Sequence, residues 1–128
     1  MDVRELNAAG QDRGHIAIVD DDEAFADSVA EMLGAAGISC VAFANVARLL
    51  RALPETRIQA VLLDVRMPEL GGGAAIRAIL ASAPALRIVS ITTHAEEQDL
   101  ARLHAAGARA VLIKPFQLAD VLTTLSTV

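Results

Sequence analysis

Apolar runs of five or six residues alternate along this chain with longer segments whose apolar residues recur at helical spacing. Short apolar runs bounded by turn-forming residues predict strands buried on both faces, and the amphipathic segments predict helices. The predicted strands cover His15–Val19, Ile38–Phe43, Ile58–Leu63, Arg87–Ile91 and Arg109–Ile113. The predicted helices cover residues 23–36, 46–53, 74–81, 95–106 and 117–126. Strand followed by helix, five times over, predicts a three-layer α/β domain of parallel βαβ units, with helices on both faces of the sheet.

Capping residues mark the ends of several predicted helices. Asp22 and Asn45 directly precede the first and second helices, where a side-chain oxygen can accept from a free backbone amide. Gly37 and Gly107 follow the first and fourth helices, as C-terminal glycines commonly do. The helix boundaries are therefore supported by local chemistry as well as by periodicity.

The N-terminal residues differ in composition from the remainder of the chain. Residues 1–13 mix charged residues, Gly and Asn with isolated apolar residues, so we expect a flexible leader followed by one domain over residues 14–128. The leader lacks the apolar core of a signal peptide, and no apolar run approaches the roughly 20 residues of a membrane span. We therefore expect a cytoplasmic protein without a membrane partner. Because the sequence ends soon after its last predicted helix, we expect no output domain in this chain.

Net charge and cysteine content exclude two further properties of the chain. The formal net charge is −5, whereas a nucleic-acid surface needs a basic patch, so we expect no direct nucleic-acid binding by this chain. The single cysteine, Cys40, excludes an internal disulfide and is predicted to be an inert buried thiol.

Polar residues follow four of the predicted strands at the point where each strand ends. Asp20 and Asp21 follow the first strand, Asp64 the third, Thr92 the fourth and Lys114 the fifth. Open α/β sheets bind ligands at the carboxyl ends of their strands. Clustered carboxylates repel one another unless a cation compensates, and an all-oxygen ligand set suits Mg²⁺. The pattern indicates an acidic magnesium site at this edge of the sheet.

Lys114 is the single lysine among the 11 Lys and Arg residues. Its compact ammonium suits one phosphoryl oxygen, where the planar fork of arginine would not. A carboxylate beside Mg²⁺ can act as a ligand alone or attack phosphorus to form an acyl phosphate. Phosphoryl transfer needs the charge on the phosphoryl oxygens neutralised, usually by a metal and a basic side chain. Thr92 offers a hydroxyl to another of those oxygens.

Four motifs together resemble those of bacterial response-regulator receiver domains. They are Ile18-Val19-Asp20-Asp21-Asp22, Leu63-Asp64-Val65-Arg66-Met67-Pro68, Ile91-Thr92-Thr93 and Ile113-Lys114-Pro115-Phe116. Their order and separations match that family, and the resemblance covers residues 14–127. It implies a flavodoxin-like (βα)5 doubly wound sandwich with a five-stranded parallel sheet in the order 2-1-3-4-5.

The resemblance implies a metal and an acceptor for the acidic residues. Asp64 resembles the phospho-acceptor and a ligand of Mg²⁺. Asp21, with Asp20 acting through a water molecule, resembles the family's Mg²⁺ ligand pair, and the backbone carbonyl of Arg66 resembles a third protein ligand. Arg66 and His94 either tune hydrolysis of the phosphoryl group or are exposed loop residues.

The resemblance also implies a conformational switch and partners. Thr92 resembles the switch hydroxyl and Lys114 the phosphate-contacting lysine, with a cis peptide expected between Lys114 and Pro115. The expected phosphoryl donors are a sensor histidine kinase, a phosphotransfer protein or a small donor such as acetyl phosphate. The chain departs from the family at Val111, where the family usually has Tyr or Phe. Because a valine cannot rotate between buried and exposed states, the resemblance does not extend to the aromatic part of the switch.

A homodimer through helix 4, strand 5 and helix 5 is a further hypothesis, because charged side chains on these elements can pair across a two-fold axis. They are Asp99, Arg102, Arg109 and Asp120.

Two alternative functions remain open beside a phosphorylated signalling domain, which is not an enzyme with turnover. A degenerate receiver would act as a constitutive protein-interaction module, an alternative motivated by Val111. A Mg²⁺-dependent phosphohydrolase with an Asp nucleophile is motivated by the D-x-D pattern of Asp20 and Asp22, which resembles the start of the haloacid dehalogenases.

Overall fold

The computed structural model describes residues 15–66, 72–93 and 96–128. The predicted leader over residues 1–13 lies outside these ranges, as do residue 14, Met67, Pro68, Gly71 and His94. In the described residues the strands are β1 His15–Val19, β2 Cys40–Phe43, β3 Ile58–Asp64, β4 Arg87–Thr92 and β5 Ala110–Ile113. The helices are α1 Glu23–Ala35, α2 Val46–Ala52, α3 Gly72–Ser82, α4 Glu97–Ala106 and α5 Leu118–Thr127.

The strands form one parallel sheet in the order β2-β1-β3-β4-β5, which confirms the predicted fold class. Val19 pairs with Leu63, Asp64 with Ile91, and Thr92 with Ile113. The carboxyl ends of β1, β3, β4 and β5 therefore lie side by side. The residues that follow these strands meet at one edge of the sheet.

Two apolar layers enclose the sheet, because successive strand residues point to opposite faces. On one face, Ile18 and Leu62 pack against helices α1 and α5, whose buried residues include Leu33 and Val121. On the other face the sheet packs against α2, α3 and α4. We call these the α1/α5 face and the α2–α4 face. Each fully buried Leu or Ile contributes roughly 1.5–3 kcal/mol, so the strands are fixed from both sides.

Two predicted strands begin later than expected. β2 begins at Cys40 because Ile38 still belongs to the turn after α1, where its amide donates to the carbonyl of Leu33 at 2.9 Å. β5 begins at Ala110. Two other strands end later than predicted. β3 and β4 each extend by one residue at the carboxyl end, to Asp64 and Thr92, respectively.

The start of α3 corrects a second expectation, which placed Gly72 and Gly73 in a loop before a helix beginning near residue 74. The helix begins at Gly72. A Cβ at Gly72 would lie 2.8 Å from the Cβ of Val65, so glycine allows this helix to approach the segment that follows β3.

The predicted caps are confirmed. Asp22 and Asn45 accept hydrogen bonds from the amides of Phe25 and Arg48, respectively. Gly37 has φ +85° and Gly107 has φ +121°, conformations that other residues rarely adopt. No helix in the described part of the chain has both the length and the apolar character needed to cross a membrane.

Candidate functional site

The turn after β1 places two carboxylates differently. Asp20 is buried, and its Oδ1 accepts a hydrogen bond of 2.9 Å from the backbone amide of Asp22. Asp21 is exposed. Because Asp22 caps α1 with its own side chain, the helix start fixes the turn and holds Asp20 toward the sheet.

Asp64 is the last residue of β3 and is also buried. Its Oδ1 accepts a hydrogen bond of 3.0 Å from the backbone amide of Arg66. Its Oδ2 lies 3.9 Å from Nζ of Lys114. One carboxylate oxygen is thus fixed by the following loop, and the other faces the lysine.

Asp20, Asp21 and Asp64 form the acidic cluster predicted from the sequence, with one ligand atom of each lying within 4.8 Å of the others. Burial, together with the charge of Asp64, raises the pKa of Asp20 to about 6 against the opposing effects of the Asp22 amide and Lys114. A divalent cation would compensate these repelling carboxylates, and Mg²⁺ typically takes one or two carboxylates while keeping several waters. The donor set therefore fits Mg²⁺. The Arg66 carbonyl stays a predicted ligand.

Lys114 joins the acidic cluster from the end of β5. Its Nζ lies 3.4 Å from Oδ2 of Asp20, so the ammonium lies close to both buried carboxylates. Its backbone amide donates to the carbonyl of Thr92 at 2.8 Å, and the Lys114–Pro115 peptide is cis, as expected. The loop after β5 is thereby attached to the end of β4.

An aromatic contact of Lys114 was not predicted. Nζ lies 4.0 Å from the ring centroid of Phe25, which in turn makes an edge contact with Phe116 at 5.9 Å between ring centroids. A cation over a ring is stabilised by roughly 0.5–1 kcal/mol or more. In the sequence Phe25 looks like an apolar helix residue, and only its position four residues after Asp21 hints at a place near the site.

Thr92, the predicted switch hydroxyl, is buried at the end of β4. The next residue, Thr93, is exposed, and its Oγ1 accepts a hydrogen bond from Nη1 of Arg66. The Arg66 side chain therefore connects the segment after β3 with the segment after β4. No sequence pattern predicted this contact, because its partners are 27 residues apart.

Val111 occupies the position where an aromatic residue was expected from the resemblance. It is partly buried against the α2–α4 face and pairs with Ser90 of β4. Ser90 is fully buried, and within the described ranges its hydroxyl has no hydrogen-bond partner. Two residues before Thr92 on β4, the sheet therefore carries the buried hydroxyl of Ser90 beside the side chain of Val111.

The sequence model of the response regulator receiver domain family matches residues 16–126. Among curated proteins, the chain is similar to the DNA-binding transcriptional regulator NtrC of Escherichia coli K12, with 32% identity over 83% of this chain and 23% of that protein. It is also similar to the transcriptional regulatory protein FixJ of Bradyrhizobium diazoefficiens, with 33% identity over 82% of this chain and 51% of that protein. The chain thus spans about a quarter to a half of these relatives.

Two solved structures are similar to this chain over nearly their whole length. The Vibrio cholerae chemotaxis protein CheY4 matches with a TM-score of 0.81 and 25% identity, covering 88% of this chain and 95% of that one. A beryllofluoride-activated NtrC4 receiver domain, solved as a dimer, matches with a TM-score of 0.79 and 25% identity, covering 87% of this chain and 92% of that one.

Proposed function

This chain belongs to the response regulator receiver domain family, and on that premise we propose that Asp64 accepts a phosphoryl group from a phosphohistidine. The donor is a sensor histidine kinase or a phosphotransfer protein of a two-component system. One observation carries the proposal. The carboxyl ends of β1, β3 and β5 place Nζ of Lys114 at 3.4 Å from Oδ2 of Asp20 and at 3.9 Å from Oδ2 of Asp64.

In the proposed reaction an oxygen of Asp64 attacks the phosphorus atom of the donor. An O–P bond forms as the P–N bond breaks, and the departing electron pair returns to the imidazole nitrogen. The Lys114 ammonium, already beside Asp64, neutralises charge on the phosphoryl oxygens. Bound Mg²⁺ would supply further neutralisation of that charge. Asp20, Asp21, Asp64 and the Arg66 carbonyl are the proposed ligands.

We assign the conformational response to Thr92 and Lys114. A hydroxyl at the end of β4 and an ammonium at the end of β5 can bind different phosphoryl oxygens, and their backbones are already joined by a hydrogen bond. Because Val111 has no ring to rotate, the response runs through the segment after β4 and through α4.

The proposed domain boundaries and partners follow from the same premise. Residues 14–128 form the receiver domain and residues 1–13 a leader. A homodimer uses α4, β5 and α5. A constitutive interaction module is the second candidate, because Val111 is partly buried where the family's switch aromatic would lie. The phosphohydrolase is disfavoured, because the Asp22 side chain caps α1 and its Oδ1 accepts from the Phe25 amide.

The deciding experiment is the intact mass after incubation with acetyl phosphate and Mg²⁺. We expect one added phosphoryl group on the wild type and none on Asp64→Asn or without Mg²⁺. A mass readout is needed because the chain contains no Trp to report binding by fluorescence. An unmodified wild type, with a known receiver modified in parallel, would favour the constitutive module.

A further inference from the structure

Arg66 makes two contacts that belong to different parts of the molecule. Its backbone amide donates to Oδ1 of Asp64 at 3.0 Å, and its guanidinium donates to Oγ1 of Thr93. Asp64 ends β3 and Thr93 directly follows the neighbouring strand β4, since Asp64 pairs with Ile91. One residue thus connects the proposed acceptor with the segment that leads toward α4.

The two acceptors available to this guanidinium differ in charge. The Thr93 hydroxyl is neutral, and both side chains of the pair are exposed to water. A phosphoryl group on Asp64, two residues away in sequence, would add about two negative charges and three strong acceptor oxygens. The bond to the Thr93 hydroxyl is assisted only by the charge of the guanidinium, whereas a bond to a phosphoryl oxygen joins opposite charges and can use both arms of the guanidinium fork. Competition between the two acceptors therefore favours the phosphoryl group.

We propose that Arg66 is a positioning residue that exchanges Thr93 Oγ1 for the phosphoryl group when Asp64 is phosphorylated. This inference rests on the proposed acceptor function of Asp64. In the unmodified protein the Arg66–Thr93 hydrogen bond, which we call the clasp, restrains Thr93, the residue that directly follows β4. Loss of the clasp frees Thr93 and loosens the first turn of α4. The exchange supplies a response that needs no aromatic ring at Val111.

The surroundings of the clasp provide a matched control. Arg66 and Arg102 line the same cavity of about 240 Å³ between the end of β4 and α4, together with Thr92 and Asp99. Within the described ranges Arg102 makes only an exposed ion pair with Asp99, at 3.9 Å. Arg102→Met therefore removes a cation from this cavity and leaves the clasp in place.

The clasp is tested first without any phosphoryl donor, by amide hydrogen exchange of α4. We expect Thr93→Val and Arg66→Met each to raise exchange in the first turn of α4 by about two- to tenfold, the range for loss of one modest hydrogen bond. Thr93→Ser keeps the hydroxyl and should exchange like the wild type, as should Arg102→Met. The Thr93→Val/Arg66→Met double variant should match the single variants, because both remove the same contact. Wild-type exchange in Thr93→Val, or additive effects in the double variant, would overturn the clasp.

The partner exchange is then tested with acetyl phosphate and Mg²⁺, using intact mass to quantify the adduct in each sample. Phosphorylated wild type should reach the α4 exchange rate of unmodified Thr93→Val, and phosphorylation should change Thr93→Val little. A complete adduct that leaves wild-type exchange unchanged would overturn the partner exchange alone. Absence of an adduct would overturn both the acceptor function and the exchange, while the donor-free comparison would still decide the clasp.

Discussion

Among individual residues, Asp20 illustrates how the site sets one group's protonation. Burial and, to a smaller extent, the charge of Asp64 raise its pKa from 3.8 to about 6. In the unfolded chain the group titrates near its ordinary value, so between about pH 4 and 6 the folded protein binds more protons than the unfolded one. Stability from this group is therefore present at low pH and is lost as the pH rises through about 6.

This sign leads to a prediction for the metal-free protein. We expect Asp20→Asn to gain stability relative to the wild type as the pH rises from 4 to 7, by at most about 3 kcal/mol, since one pKa unit corresponds to about 1.4 kcal/mol. Urea unfolding in EDTA at several pH values measures the difference. A difference between the two proteins that stays constant over this range would show that Asp20 is not perturbed in the fold.

The buried hydroxyl of Ser90 yields a second prediction at this scale. An unpaired buried hydroxyl costs about 1–3 kcal/mol, so Ser90→Ala should raise the free energy of unfolding by about 1 kcal/mol. Ser39→Ala is the comparison, because the exposed Ser39 hydroxyl is bonded to Nδ1 of His15 and its removal should lower stability. Both are measured by urea unfolding. A loss of stability in Ser90→Ala would mean that the hydroxyl has a partner in solution.

At the level of elements, two glycines with opposite surroundings test why the helices end where they do. Gly107 closes α4 at φ +121°, and a Cβ there would clash with Cδ1 of Leu80. Gly34 lies within α1 with nothing within 4 Å of an added Cβ. We expect Gly107→Ala to lower the thermal midpoint, with a cost of about 1–3 kcal/mol, and Gly34→Ala to gain up to about 1 kcal/mol. Equal effects in calorimetry would contradict the role of backbone conformation at Gly107.

The elements also show how far the sequence could predict the molecule. Periodicity located all the strands and helices of the described residues, because each is an apolar run or an amphipathic segment. The strand order came from the family resemblance, since periodicity does not specify which strands are neighbours. The start of α3 was misplaced because a run of glycines normally predicts a loop, whereas Gly72 allows close packing on Val65.

Side-chain contacts between elements were less predictable than the acidic cluster. Asp20, Asp21 and Asp64 converge because parallel strands end at one edge, a consequence of topology. The ring of Phe25 under Lys114 and the bond from Arg66 to Thr93 depend on rotamers and loop paths, which composition and spacing do not encode.

For the whole molecule, β5 links the acceptor site to the surface between this strand and α5. Lys114 contacts Asp20 and Asp64 at one end of β5, and the same strand exposes Ile113, 40% accessible, beside α5. A cavity of about 330 Å³ lies between β5 and α5 and is lined in part by Phe116. A change at Lys114 therefore reaches this surface within one strand.

That surface makes the proposed homodimer testable as a whole-molecule response to phosphorylation. Arg109 is exposed at the entrance to β5, and Asp120 is exposed on α5, so an opposite-charge contact across a two-fold axis is available. We expect the phosphorylated wild type to sediment as a dimer, and Arg109→Glu to weaken dimerisation at least about tenfold by placing like charges together. Arg51→Glu is the control, because Arg51 is equally exposed on α2, outside the proposed interface. The weakening should diminish at high salt, which screens exposed charges. A phosphorylated protein that stays monomeric at high concentration would exclude this dimer, and equal effects of the two charge reversals would place the interface elsewhere.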